Sequence, residues 1–203
     1  MLFQWCLKGV PKTKEFGDTE ANEALRDAGL TSAWLRDNAN NNAGLGELPA
    51  KSHASLSQAD LDAHVNSFSA AATKTPYISL SAGTVELDPG NKTIQVYPAY
   101  DTALSFATDN CMCDGYIFRL WVLVSPKPGP ELPGFAEEVR ELNIFRQFGT
   151  FHHEGEIAAK LFVPSRQIEW YQKYDRALKL VGQRQGNPNF VPPERINTVL
   201  ETL

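Results

Sequence analysis

The strongest strand signal in the chain is Gly115–Val124, GYIFRLWVLV, an apolar and β-favouring run broken only by Arg119, which predicts a central strand. Leu2–Leu7 predicts the first strand, ended by Gly9-Val10-Pro11. Tyr77-Ile78-Ser79-Leu80-Ser81 alternates as a half-buried strand does, and Ala82-Gly83 closes it. Thr84–Leu87 and Lys92–Tyr97 read as two more strands around the turn Asp88-Pro89-Gly90-Asn91.

Helical spacing appears between these runs. Asp18 is placed to cap a helix over Thr19–Ala28, with Gly29 as its stop. Thr31 or Ser32 caps a second helix carrying Trp34 and Leu35, and Asn38–Gly46 reads as a loop. Ser57 opens another, with Asp60 three residues on and Leu61, His64, Val65 and Phe68 on one face. Asp101–Thr108 predicts a helix with Ala103, Phe106 and Ala107 inward. Phe135–Ile144 and Gln167–Val181 also read as helices, the latter with Trp170, Tyr171 and Tyr174 as core residues. Ser125–Gly134, with four prolines, reads as a semi-rigid loop, and Pro192 as the start of a final short helix. No internal repeat is visible.

Composition narrows the class. A length of 203 residues with 42% hydrophobic content fits one domain, 1–203, with a core over about 2–175 and a C-terminal helix and tail over 176–203. A net charge of −5 argues against sequence-independent nucleic-acid binding, though not against a nucleic-acid substrate held in a local cleft. Three cysteines are an odd number and suit reduced thiols; Cys111-Met112-Cys113 has no second pair with which to hold zinc. The opening MLFQWCLKGV has no run long enough for a signal h-region or a span, so the chain reads as cytoplasmic, or as delivered into a host or target-cell cytosol, with no membrane partner.

The stretch richest in chemistry is Phe148–Tyr174, FGTFHHEGEIAAKLFVPSRQIEWYQKY. In an extended chain Glu154 and Glu156 leave one face, and the apolar residues Ile157 and Leu161–Val163 then carry the strand inward. Paired glutamates on a solvated strand would need no function. The flanks say more: the turn Phe148-Gly149-Thr150-Phe151 precedes the pair, and Phe162-Val163-Pro164, Ile168 and Trp170-Tyr171 follow it. His152 and His153 are adjacent, point to opposite faces of a strand and make no metal site; one of them lines the substrate turn.

This arrangement resembles the mono-ADP-ribosyltransferases of the cholera-toxin and pierisin type, in which an aromatic-bearing turn precedes Glu-x-Glu, a small-residue strand and Ile-Pro. Tyr77-Ile78-Ser79-Leu80-Ser81 is similar to that family's aromatic-x-Ser-Thr-Ser strand, with Leu80 where Thr is usual. The resemblance covers roughly residues 2 to 175. It implies an α+β fold, the ADP-ribosyltransferase fold of two packed, mainly antiparallel β-sheets with flanking helices and an NAD cleft between them.

It also implies roles. Glu156 would be the catalytic carboxylate, stabilising the oxocarbenium-like cation formed when nicotinamide leaves NAD, the substrate. Glu154 would position or deprotonate the acceptor, and Ser79 would orient Glu156 by a hydrogen bond. Tyr77, Ser79 and Ser81 would contact NAD, while Phe148, Phe151 and His153 would meet the acceptor. Glu at the first position of the pair favours a protein arginine. The family's first-strand arginine is missing: one overlay puts Gln4 there, a slipped one Lys8. Neither makes the bidentate phosphate contact of arginine. Lys8 serves as a point charge, position 4 was changed to disarm a toxic enzyme, or the protein is weak or dead; the sequence leaves all three open. The reading is therefore a mono-ADP-ribosyltransferase, a toxin or effector, or the toxin of a toxin–antitoxin pair with an antitoxin or immunity protein as partner. Transfer to RNA or DNA, NAD glycohydrolysis and a non-catalytic binding module are the alternatives.

Overall fold

A computed structural model describes residues 2–40, 61, 63–65, 75–87, 94–125, 135–137 and 155–193. Strand β6 (Gly115–Ser125) is the spine, as its apolar run requires: Tyr116, Ile117, Phe118, Leu120 and Val122 are fully buried. Along one edge it pairs antiparallel with β1 (Leu2–Pro11), from Leu2↔Val124 to Pro11↔Gly115. Its other edge is divided. Residues 115–120 pair antiparallel with β10 (Ile168–Tyr174), and Leu123–Ser125 pair parallel with β7 (Phe135–Glu137).

From β7 the sheet continues to β8 (Glu156–Lys160) and then β3 (Tyr77–Ser81), which returns to β1 at Leu7↔Ser81. Two lobes thus share β6: a circuit closed through β1, and a hairpin formed by β10 and β11 (Leu180–Gly186). Among the described residues every ladder except β6–β7 is antiparallel, so the class is α+β with mainly antiparallel sheets. Two small ladders flank the main sheet: β2 (Leu30–Thr31) with β9 (Phe162–Val163), and β4 (Thr84–Leu87) with β5 (Ile94–Tyr97).

The helices fill the flanks. Helix α1 (Asp18–Glu23) is capped from Gly17, whose N–H donates to the Glu20 carboxylate at 2.7 Å. Asp18 is therefore the first helical residue and not the cap, which leaves its carboxylate to accept from Tyr116 Oη at 2.9 Å and Lys173 Nζ at 2.8 Å. The helix runs on as a π-turn, Ala24–Ala28, and stops at Gly29, φ +73°. Helix α2 (Ala33–Asn40) starts as expected, with Ser32 Oγ accepting the Leu35 N–H at 3.2 Å, but extends over Asn38–Asn40, which the sequence reading assigned to a loop. Helix α3 (Ala99–Ala107) buries Ala103 and Ala107 against β1.

Other expectations are corrected. β1 runs through Gly9-Val10 to Pro11, because a glycine is what lets α3 lie against the strand: a Cβ at Gly9 would sit 2.1 Å from Ala103 O and 2.6 Å from Ala107 N. Phe106 does not face inward; it is 40% exposed. Phe135–Glu137 is strand, not helix. The predicted helix Gln167–Val181 is instead a short 3-10 turn, Ser165–Gln167, then β10, a tight turn and β11. The turn is held by Asp175 Oδ1, which accepts the N–H groups of Ala177 and Lys179, each at 2.9 Å. Ile168, Trp170, Tyr171 and Tyr174 are strand formers whose spacing also fits one helix face, and the open edge of β6 decided between the two. Tyr171 and Tyr174 are nonetheless core residues, as expected. Ser57, Asp60, Phe68, the turn at 88–91, the proline-rich residues 126–134 and the segments 138–154 and 194–203 lie outside the described residues.

Candidate functional site

The ladder between β3 and β8 builds the site. Register pairs Ser81↔Glu156, Ser79↔Ala158 and Tyr77↔Lys160 put these side chains on one face, while Ile78, Leu80, Ile157 and Ala159 pack into the core from the other. Glu156 opens β8 because Gly155 adopts φ +57° against the backbone of Gly83; a Cβ there would lie 2.5 Å from the Gly83 carbonyl carbon. The Ala82 N–H donates to Gly155 O at 2.9 Å and pins that approach. The left-handed residue also ends the simple alternation, so the period of two does not tie residue 154 to the face of Glu156. Glu154, Phe148, Phe151, His152 and His153 lie outside the described residues.

Glu156 is 6% exposed, and its Oε1 is buried without a hydrogen-bond partner among the described residues. It lies 3.6 Å from His64 Nε2, too long for a hydrogen bond. His64 stands among the helical residues 61 and 63–65, held down by buried Leu61 and Val65. Its Nε2 lies 2.9 Å from Ser79 Oγ, its Nδ1 lies 2.7 Å from Thr75 Oγ1, and its ring is 5.6 Å from that of Tyr77. The direct Ser79–Glu156 hydrogen bond expected from the sequence is absent among the described residues. Ser79 stands two residues off in the ladder, and the imidazole bridges the gap. His64 was read as a packed or capping residue; it is packed, and it also meets the carboxylate. A histidine on an apolar helix face carries no local mark of that second role.

Lys8 lines the same pocket, with Gly9, Ser79, Ser81, Thr102, Phe106 and Glu156. The pocket encloses about 20 Å³, room for one hydroxyl-sized group. Burial pushes the Lys8 ammonium down to about 8; the Glu156 carboxylate opposes that shift, and the Arg36 guanidinium adds to it. Gln4 sits four residues back along β1, about 13 Å away at the rise of a strand. It lies opposite Val122 and its amide donates to Trp5 O at 2.9 Å. Of the two overlays on the first strand, only the one through Lys8 brings a side chain to Glu156.

Thr102 and Phe106 also line a separate groove of about 480 Å³ between β5 and α3, together with Val96, Tyr97, Asp101, Ser105 and Asn110. Among the described residues, Lys8 shares the pocket with Glu156, near enough to Arg36 to feel its charge, and Asp101 lines the groove.

Fold and site together define an α+β protein with mainly antiparallel sheets and a buried carboxylate–imidazole–hydroxyl cluster beside a half-buried lysine. Two solved structures align over most of the chain. An arginine-to-lysine mutant of heat-labile enterotoxin, characterised by the flexibility of an active-site loop in its A subunit, is 13% identical over 95% of this chain and 79% of that one, TM-score 0.49. EcPltA is 14% identical over 94% of this chain and 87% of its own, TM-score 0.44. No protein-family model matches the sequence, and no curated protein matches it. Among the described residues no helix is long and apolar enough to cross a membrane.

Proposed function

We propose that the protein is an NAD-dependent mono-ADP-ribosyltransferase of the toxin or effector kind, moving ADP-ribose to a macromolecular acceptor, a protein arginine before a nucleic acid, with release of nicotinamide. The observation that carries this reading is the orphan Oε1 of Glu156: a buried carboxylate oxygen without a donor among the described residues, at the end of a pocket sized for one hydroxyl. Leaving such an atom unpaired costs about 1–3 kcal/mol, a cost that a ribose hydroxyl donating to it would relieve.

NAD supplies the reactive N-glycoside; the chain's residues receive it. Glu156 accepts a hydroxyl of the nicotinamide ribose and places negative charge beside the carbon that becomes cationic as nicotinamide departs. His64, fixed by Ser79 and Thr75, packs beside Glu156 and limits the movement of the carboxylate during the reaction. Lys8, with Arg36 close enough for its charge to be felt, suits the pyrophosphate as a point charge in place of a bidentate arginine. Glu154 would orient the acceptor.

Incubation with NAD labelled in its adenylate half and a cell lysate tests the proposal. Label is expected on protein, and Glu156→Gln should abolish both transfer and nicotinamide release, whereas Glu154→Ala should keep NAD hydrolysis and lose transfer. Undiminished nicotinamide release by Glu156→Gln would end the mechanism. Label on RNA or DNA, or free ADP-ribose alone, would keep the chemistry and replace the acceptor; no NAD cleavage at all would leave a binding module.

A further inference from the structure

The groove between β5 and α3 has no part in the chemistry assigned to Glu156, yet it shares Thr102 and Phe106 with the pocket of that carboxylate. Its charge is the reverse of what a dinucleotide needs: Asp101 is the only ionised group among its described lining residues, and no cation stands there. Tyr97 and Phe106 supply aromatic surface. Ser105 Oγ donates to Asn110 Oδ1 at 2.6 Å, which occupies the amide oxygen and turns the Asn110 N–H groups toward other acceptors. A carboxylate beside two aromatic rings suits a guanidinium, which pairs with the acid in its plane and stacks on a ring with its face.

The rim is apolar to an extent unusual for a free surface. Val96, which lines the groove, is 63% exposed; Ile94, two residues away on the same face of β5, is 68% exposed, and Phe106 on α3 is 40% exposed. Clustered exposed apolar side chains around one groove mark a protein contact surface, not a small-molecule site.

We infer that this groove docks a partner protein, the acceptor, by an arginine side chain that enters between Tyr97 and Phe106 to meet Asp101, with apolar residues of the partner seated on Ile94 and Val96. The catalytic consequence rests on the function proposed above; the binding does not. NAD then binds by Lys8 and the cationic acceptor by Asp101, the two meeting at Glu156. A nucleic acid would bring phosphates to the acidic groove, which disfavours them.

Two measurements on the full chain decide this. In an NMR titration with agmatine, a free alkyl guanidine, backbone amides of residues 97–110 should shift saturably at millimolar concentration, and Asp101→Asn should weaken that binding about tenfold, as loss of a charged hydrogen bond does. Tyr97→Leu, a groove residue that does not line the Glu156 pocket, is the second variant, because Asp101 also lies in the first turn of α3; thermal melts of both should stay near wild type. With NAD present, both variants should lose about tenfold in transfer to agmatine and to arginine peptides while NAD hydrolysis stays within about twofold. A raised KM for NAD in the hydrolysis reaction would overturn the inference and make the groove part of the dinucleotide site. Agmatine shifts confined elsewhere, or transfer to RNA that needs Asp101, would overturn it as well. If the wild type cleaves no NAD, the proposed function fails while the titration still decides the groove.

Discussion

Replacing Lys8 by methionine should make the protein more stable at neutral pH, by an amount that disappears in alkali. An ordinary lysine titrates at 10.5, whereas burial in the pocket pulls Lys8 to about 8, with the attraction of Glu156 already included. That difference corresponds to about 3 kcal/mol of cost for holding the charged amine in the fold. The sign follows from proton counting. Between pH 8 and 10.5 the unfolded chain binds the proton and the folded chain does not, so wild-type stability rises with pH across that window relative to a variant without the amine. Below pH 8 both states are charged and the full cost is present. Lys8→Met should therefore unfold at higher urea at pH 7, by about 2–3 kcal/mol, or about 5–10 °C in a melt of a chain this size. The gap should shrink to about a quarter of that by pH 10. Urea curves of wild type, Lys8→Met and Lys8→Arg at half-unit steps from pH 6.5 to 10 check this, with the arginine variant keeping its charge and showing no closure. A gap that stays constant across the window, or a methionine variant less stable than wild type at pH 7, would show that Lys8 is an ordinary solvated lysine and remove it from the site. Carrying such a charge at a cost to the fold is what a binding residue does.

Other expectations follow from single contacts. Gly9→Ala places a methyl 2.1 Å from Ala103 O, a backbone atom of α3 that has no rotamer with which to yield; the helix must lift, costing about 2–3 kcal/mol in urea unfolding, and a loss under 0.5 kcal/mol would contradict the packing. His64→Ala leaves Ser79 and Thr75 without their ring partner and Glu156 unsteadied, so kcat for nicotinamide release should fall about 100-fold with little change in KM. His64→Gln, which keeps an amide within reach of Ser79, should recover part of it; equal loss in both variants with a matching fall in melting temperature would mean a packing role alone. Asp18 is held below its ordinary 3.8 chiefly by the hydrogen bond from Lys173 and then that from Tyr116. Its contribution is present above that pH and lost as pH falls through the lowered value, so the stability gap between wild type and Asp18→Asn should shrink in acid. A gap that widens in acid would refute the assignment.

The parts of this molecule that were legible in its sequence are those decided within a few residues of themselves. β3 and β6 follow from a side-chain period or a continuous apolar run, the stop at Gly29 from its need for positive φ, and the cap at Ser32 from its hydroxyl. The apolar run of β8 after Glu156 was readable for the same reason, but the burial of the whole strand, Glu156 included, was not. Elsewhere the local pattern was two-valued. Ile168–Tyr174 fits a helix face as well as a strand, and Phe135–Glu137 lay inside an apparent helical period; both became strands because β6 has two edges to fill. Phe106 turned outward because the groove, not the core, lies on its side of α3.

The site itself was decided furthest from the sequence. Which of Gln4 and Lys8 meets Glu156 depends on where β3 joins β1, at Leu7 and Ser81, a register across more than seventy residues of chain. That His64 reaches both Ser79 and Glu156 depends on a helix docking over a sheet whose strands come from three parts of the sequence. Side-chain period and turn chemistry are short-range and can be read in order; strand register and helix docking are agreements between distant segments, settled only when the whole core closes.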